Sequence, residues 1–122
     1  MKLYHLTDSK NVESILKSGL DPSFSREHDG EDKYVYFSQD MFHAEGYENH
    51  HGDWDKSTLI TIESENLDEE SLGPDDVDLP DLLEQDDEEY REFYEISWQE
   101  SLQISGQCTY RKIIPACLLK MV

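Results

Sequence analysis

The first third of the chain alternates short apolar runs with one stretch of helical period. Leu3-Tyr4-His5-Leu6-Thr7 and Tyr34-Val35-Tyr36-Phe37-Ser38 are β-type runs, each carrying a polar side chain among apolar neighbours. Between them Val12, Ile15 and Leu16 repeat at i, i+3 and i+4, which predicts an amphipathic helix over 11–20. Asp8 or Ser9 can cap its start, and Gly19 can end it in a left-handed conformation with Leu20 packing back. Thr58 to Ile62 is β-branched and predicts a third strand. A short helix is expected over 40–47, capped by Ser38 or Asp40, with polar loops over 21–32 and 49–56. Tyr90, Phe93, Tyr94, Ile96, Trp98 and Leu102 fall in 88–103, where a helix is expected at the start despite like charges at i, i+4. Two last strands are expected over 107–113 and 117–122, on either side of a bend at Pro115. The sum is one α+β domain dominated by a sheet with few helices.

Composition narrows the picture. At 122 residues, with 36% hydrophobic and 32% charged side chains, the chain can close a single core under a charged surface. No run approaches the roughly 20 apolar residues that span a bilayer. Asp8 and Lys10 interrupt any apolar stretch of a leader, so a cytoplasmic protein is expected. Cys108 and Cys117 read as two reduced, buried thiols.

The net charge of −19 is unevenly spread. Residues 63–95 hold 16 Asp or Glu and one base, Arg91, for −15, leaving −4 for the rest. Leu67, Leu72, Val77, Leu79, Leu82 and Leu83 punctuate that acidic insert, with Pro74 and Pro80 as breaks, which suggests short turns pinned to a core. Such a field repels nucleic-acid phosphates and membrane surfaces and attracts basic partners. Direct nucleic-acid binding through this face is not expected. A basic protein surface is the expected partner, such as that of a protein that itself binds nucleic acid. His43, His50, His51 and Asp53 lie in a Gly- and Asn-rich stretch without firm ligand spacing, so no metal site is expected there.

A His and a Tyr buried on adjacent strands can grip a planar, amide-bearing ligand. Together, Tyr4-His5-Leu6-Thr7, the helix ending Ile15-Leu16-Lys17-Ser18-Gly19-Leu20, and Val35-Tyr36-Phe37-Ser38 followed by Ala44 and Tyr47 resemble the N-terminal half of the ADP-ribosyltransferase superfamily. The likeness is to its diphtheria-toxin-like branch with a His-Tyr-Glu signature, and it covers residues 3–47 and 104–118. It implies a split antiparallel sheet with NAD, as substrate, in the cleft between the halves. It also implies that His5 holds a ribose and the carboxamide region, that Tyr36 stacks on nicotinamide, and that Thr7, Ser38 and Tyr47 are further contacts. Arg26 is the base assigned to the pyrophosphate, with Lys10 and Lys33 as rivals.

The third signature residue of that family is a Glu eight residues before the proline of an Ile-Pro pair, and here that position is Gln107. Breaking the nicotinamide–ribose bond develops positive charge on the sugar, which a carboxylate stabilises. An amide keeps the hydrogen bond and loses the charge. At about 4 Å and an effective dielectric near 20 that difference is roughly 4 kcal/mol, on the order of a thousandfold in rate. Glu92, Glu95 and Glu100 are the candidates to restore it. The expectation is an NAD-dependent mono-ADP-ribosyltransferase-like protein acting on a macromolecule through His5, Tyr36 and Gln107, as a toxin or phage effector would. The rival is the same fold kept as a non-catalytic binding or inhibitory module. RNA 2′-phosphotransferase chemistry is opposed by the acidic surface and the few arginines.

Overall fold

A computed structural model describes residues 1–22, 34–41, 44, 56–76, 78–84 and 92–121. Its strands are β1 (Lys2–Asp8), β2 (Val35–Ser38), β3 (Ser57–Glu63), β4 (Leu72–Pro74), β5 (Gln107–Tyr110) and β6 (Lys120–Met121). Its α-helices are α1 (Val12–Ser18), α2 (Leu79–Glu84) and α3 (Trp98–Ile104). The protein is α+β: all six strands form one antiparallel sheet in the order β4-β5-β2-β1-β3-β6. Among the described residues no helix is long and apolar enough to cross a membrane.

Pairing is uneven across this sheet. β1 and β3 are in register from Lys2↔Glu63 to Asp8↔Ser57, and β2 and β5 from Val35↔Tyr110 to Ser38↔Gln107. β1 and β2 meet only at Tyr4↔Ser38. The middle of the sheet is therefore its thinnest seam.

Successive side chains of a strand point to opposite faces, so the registers sort the strand residues. Leu3, Phe37, Ile60, Ile62, Cys108 and Tyr110 share one face and form the core with Leu20, Leu102 and Ile114. Ile15 of α1 and Leu102 of α3 pack on this cluster, which puts both helices on the same side. Burying these aliphatic and aromatic side chains contributes about 1.5–3 kcal/mol each before the entropy of ordering them is counted. A smaller cluster of Leu79, Leu83 and Ile96 ties α2 to the segment before α3.

The strand and helix expectations at the N-terminal end hold in kind. β1, β2 and β3 fall on the three β-type runs, and α1 ends at Gly19 with φ 80°. α1 is shorter than 11–20 because Ser9–Asn11 first form a 3-10 turn, capped by Asp8 Oδ1, which accepts from the Lys10 amide at 3.2 Å. Of the expected helix over 40–47 the described residues hold Met41 and Ala44, both helical, with the Ala44 amide on the Asp40 carbonyl.

The start of the helix expected over 88–103, residues 88–91, lies outside the described residues; Phe93–Glu95 is a 3-10 turn and α3 starts at Trp98. The N-cap of α3 is Ser97, whose hydroxyl accepts from the Glu100 amide at 3.1 Å. Three expectations need correction. β5 stops at Tyr110 and β6 has two residues, with a 3-10 turn, Ala116–Leu118, between them. The backbone of Ile114 is taken by Leu20, in a two-way bridge of 2.8 and 2.9 Å, and Pro115 has no amide to offer a ladder. Cys108 is buried as expected but Cys117, on that turn, is exposed; both are free thiols. Finally, the acidic segment contributes β4, which pairs along Leu72↔Tyr110 to Pro74↔Cys108 and makes the segment one edge of the sheet.

Candidate functional site

The face of the sheet opposite the core carries polar side chains from four strands beside Leu6 and Leu59. Ser38 is in register with Gln107 on one side and Tyr4 on the other, and Tyr4 with Thr61 beyond it. Gln107, Ser38, Tyr4 and Thr61 thus form one row on one face, spanning four strands. At 4.7–4.9 Å per strand the outer members are about 14 Å apart, the scale of a nucleotide. A second row on the same face runs Tyr36, Thr109 and Gly73. It ends in the one residue without a side chain.

Tyr36 is buried, and its hydroxyl donates to Asp76 Oδ1 at 2.7 Å. Asp76 lies just past β4, so the acidic segment brings a carboxylate onto the tyrosine's side of the sheet. The turn that delivers it is built around Asp75 and Ser101. The buried Ser101 hydroxyl accepts from the Asp75 amide at 2.9 Å and donates to the Gln107 carbonyl at 2.7 Å. It replaces a direct ladder bond at the point where β4 leaves β5. Asp75 Oδ1 then accepts from the Asp78 amide at 3.3 Å. Thr109 adds a hydroxyl bond to the Pro74 carbonyl at 3.0 Å.

His5 stands apart from this group. Its register with Ile60 and its edge-on contact with Phe37, centroids 5.9 Å apart, place the ring on the core side of the sheet. Its link to Tyr36 is through the main chain, with Nδ1 2.7 Å from the Tyr36 carbonyl oxygen. A carbonyl only accepts, so Nδ1 carries the proton and Nε2 is the acceptor nitrogen. Burial lowers the His5 pKa from its ordinary value and the Tyr36 bond opposes it less strongly, which favours this neutral form. The ring thus straps β1 to β2 where the backbone ladder supplies one pair.

The sequence-based site residues are therefore divided. Tyr36, Ser38 and Gln107 share the polar face. His5 and, by strand parity, Thr7 point to the other. Arg26 and Tyr47 lie outside the described residues, as do Lys33, His43, His50, His51 and Asp53. Among the described residues no group of three or more His, Cys, Asp or Glu could hold a metal ion. Glu92 and Glu95 lie at the 3-10 turn before α3, and Glu100 in the first turn of α3. That helix packs on the core side, so Glu100 starts from the wrong face to stand beside Tyr36. Tyr4, Thr109 and Asp76 were missed. The signal for Tyr4 was present, two polar-capable residues side by side in Tyr4-His5, but only the register says which of them shares a face with Tyr36.

Compared with known proteins, the chain matches no family model and no curated sequence.

Proposed function

We propose that the polar face of β5-β2-β1 binds NAD, and that the protein is an ADP-ribosyltransferase-like domain modifying a macromolecular target. The observation that carries this reading is the register of Ser38 with both Tyr4 and Gln107. The three strands that hold the signature positions are consecutive neighbours, and Tyr36, Ser38 and Gln107 fall on one face. Tyr36 offers a ring for a planar nicotinamide, Ser38 and Gln107 offer hydroxyl and amide partners for a ribose or carboxamide. His5 contributes by holding the Tyr36 main chain, and its strap across the weakly paired β1–β2 seam fits a sheet that divides there. The −15 charge of residues 63–95 favours a basic protein as acceptor.

Titration calorimetry with NAD and with ADP-ribose tests the site. NAD binding that is abolished by Tyr36→Ala supports it, and absence of binding by both ligands removes it. A second reading, a non-catalytic module with the same cleft, is favoured by the amide of Gln107. Release of free nicotinamide on mixing with NAD separates the two: the enzyme reading requires it.

A further inference from the structure

We propose that Tyr4, Thr61 and Lys120 form a phosphate-binding notch on the polar face, beside the one floored by Ser38, and that the ligand lies across the sheet with its anionic group towards β6. This deepens the NAD reading of the face and rests on it. It assigns the pyrophosphate to the β3–β6 side and the nicotinamide ribose to the β2–β5 side.

The polar row is longer than four strands. Thr61 is in register with Lys120 of β6 as well as with Tyr4. Directly paired residues share a face, so the order is Gln107, Ser38, Tyr4, Thr61, Lys120. Long and short side chains alternate along it. Gln107 and Tyr4 are half-buried and Lys120 is exposed, whereas Ser38 and Thr61 are each 5% exposed. The two hydroxyls are thus the floors of two notches that share Tyr4 as a wall, about 9.5 Å apart across two strand spacings.

Buried hydroxyls are normally hydrogen-bonded. On this face the Tyr36 hydroxyl donates to Asp76 and that of Thr109 to the Pro74 carbonyl. Among the described residues the hydroxyls of Ser38 and Thr61 have no such partner, nor do the side chains of Tyr4 and Gln107. The second notch also holds charge. Lys10, Lys17 and Lys112 are each paired with a carboxylate, of Asp8, Glu13 and Asp68. Lys120 has no ion pair among the described residues, and neither has Lys2, which shares the face two residues before Tyr4. Glu63, the acid in register with Lys2, lies 3.7 Å from the Met1 amine. Two hydroxyls able to donate, beside a lysine without a counter-ion, make a seat for phosphate. The chain holds it despite a net charge of −19, which otherwise repels phosphate.

The test uses the full chain and three probes: NAD, ADP-ribose, and nicotinamide riboside, which has no phosphate. In titration calorimetry Lys120→Gln should bind NAD and ADP-ribose about tenfold more weakly, with its affinity for nicotinamide riboside unchanged. Wild-type affinity for ADP-ribose should fall as sodium chloride is raised, and that of Lys120→Gln should fall less steeply. Thr61→Val should weaken ADP-ribose binding and Thr61→Ser should restore it. Circular dichroism and the urea midpoint confirm that the variants are folded. If Lys120→Gln binds ADP-ribose as wild type does while Tyr36→Ala still abolishes NAD binding, the notch is overturned and the NAD reading stands. If the wild type binds ADP-ribose through Lys120 but does not bind NAD, the notch stands and the NAD reading falls. If the wild type binds neither, both fall.

Discussion

The hydroxyl of Ser101 donates to the carbonyl oxygen of Gln107 at 2.7 Å from a side chain with no exposed surface. The Ser101 hydroxyl oxygen also accepts from the Asp75 amide, so one hydroxyl satisfies two backbone groups where β4 and β5 part. Ser101→Ala leaves both groups without that partner. At about 1–3 kcal/mol per buried group, the expected destabilisation is roughly 3 kcal/mol. Urea denaturation followed by tryptophan fluorescence measures it, and a midpoint within error of wild type would show that the bridge is dispensable.

Gly19 is required by its surroundings. At φ 80° and ψ −173° it occupies backbone space that side chains avoid, and a Cβ there would lie 2.0 Å from the Ile114 carbonyl oxygen. That oxygen is held by the Leu20 amide at 2.9 Å. Gly19→Ala must break the Leu20–Ile114 bridge or distort it, at an expected cost of at least about 3 kcal/mol. Gly73→Ala is the control. Among the described residues its new methyl would meet only Thr109 Oγ1, at 3.4 Å, and the expected change is under about 1 kcal/mol. Thermal melts of the two variants should differ clearly.

Acid should loosen the β1–β2 seam through His5. Its pKa is lowered by burial in the folded chain, against an ordinary value of 6.5. The unfolded chain therefore binds the proton first as pH falls. Stability is unaffected well above 6.5, begins to fall as pH drops through that value, and keeps falling down to the lower folded pKa. His5→Asn retains a donor for the Tyr36 carbonyl and cannot titrate. The difference in unfolding free energy between wild type and this variant should be flat above neutrality and change below about pH 6. A difference that stays constant from pH 8 to 5 would remove His5 as the titrating group.

The two thiols should behave differently. Burial, helped by the nearby Asp75 carboxylate, pushes Cys108 up to about 12, while Cys117 is exposed. The thiolate is the reactive form. Labelling of the native chain with a disulfide reagent at neutral pH should therefore modify one thiol quickly and the second only on unfolding. Cys117→Ser should abolish the fast phase. Two equal fast phases would mean that the β5 core opens far more readily than its packing indicates.

The elements that could be read from the chain are those in which local pattern and tertiary need agree. β1, β2 and β3 are dense in β-branched and aromatic residues, and α1 has an apolar face and a glycine stop. β4 could not be read, since Leu72-Gly73-Pro74 has no strand propensity and pairs only because β5 offers an edge. The start of α3 at Trp98 is marked by its cap, Ser97, and not by the aromatic spacing of 88–103. The exposure of Cys117 follows from the 3-10 turn at Ala116–Leu118, and that turn depends on the distant pairing of Ile114 with Leu20.

The candidate site divides in the same way. The sequence by itself determined that the domain is α+β and that it has a −15 segment. It also determined that Gln107 carries no charge. Only the tertiary structure decided which side chains meet. One register pair, Tyr4↔Ser38, sends Tyr36 to the polar face and His5 to the core face, and a shift of one residue would exchange them. The meeting of Tyr36 with Asp76 spans 40 residues of sequence and rests on the path of β4 along β5. No local propensity encodes such a contact, because its free energy comes from pairing and burial between segments that approach each other only in the folded chain.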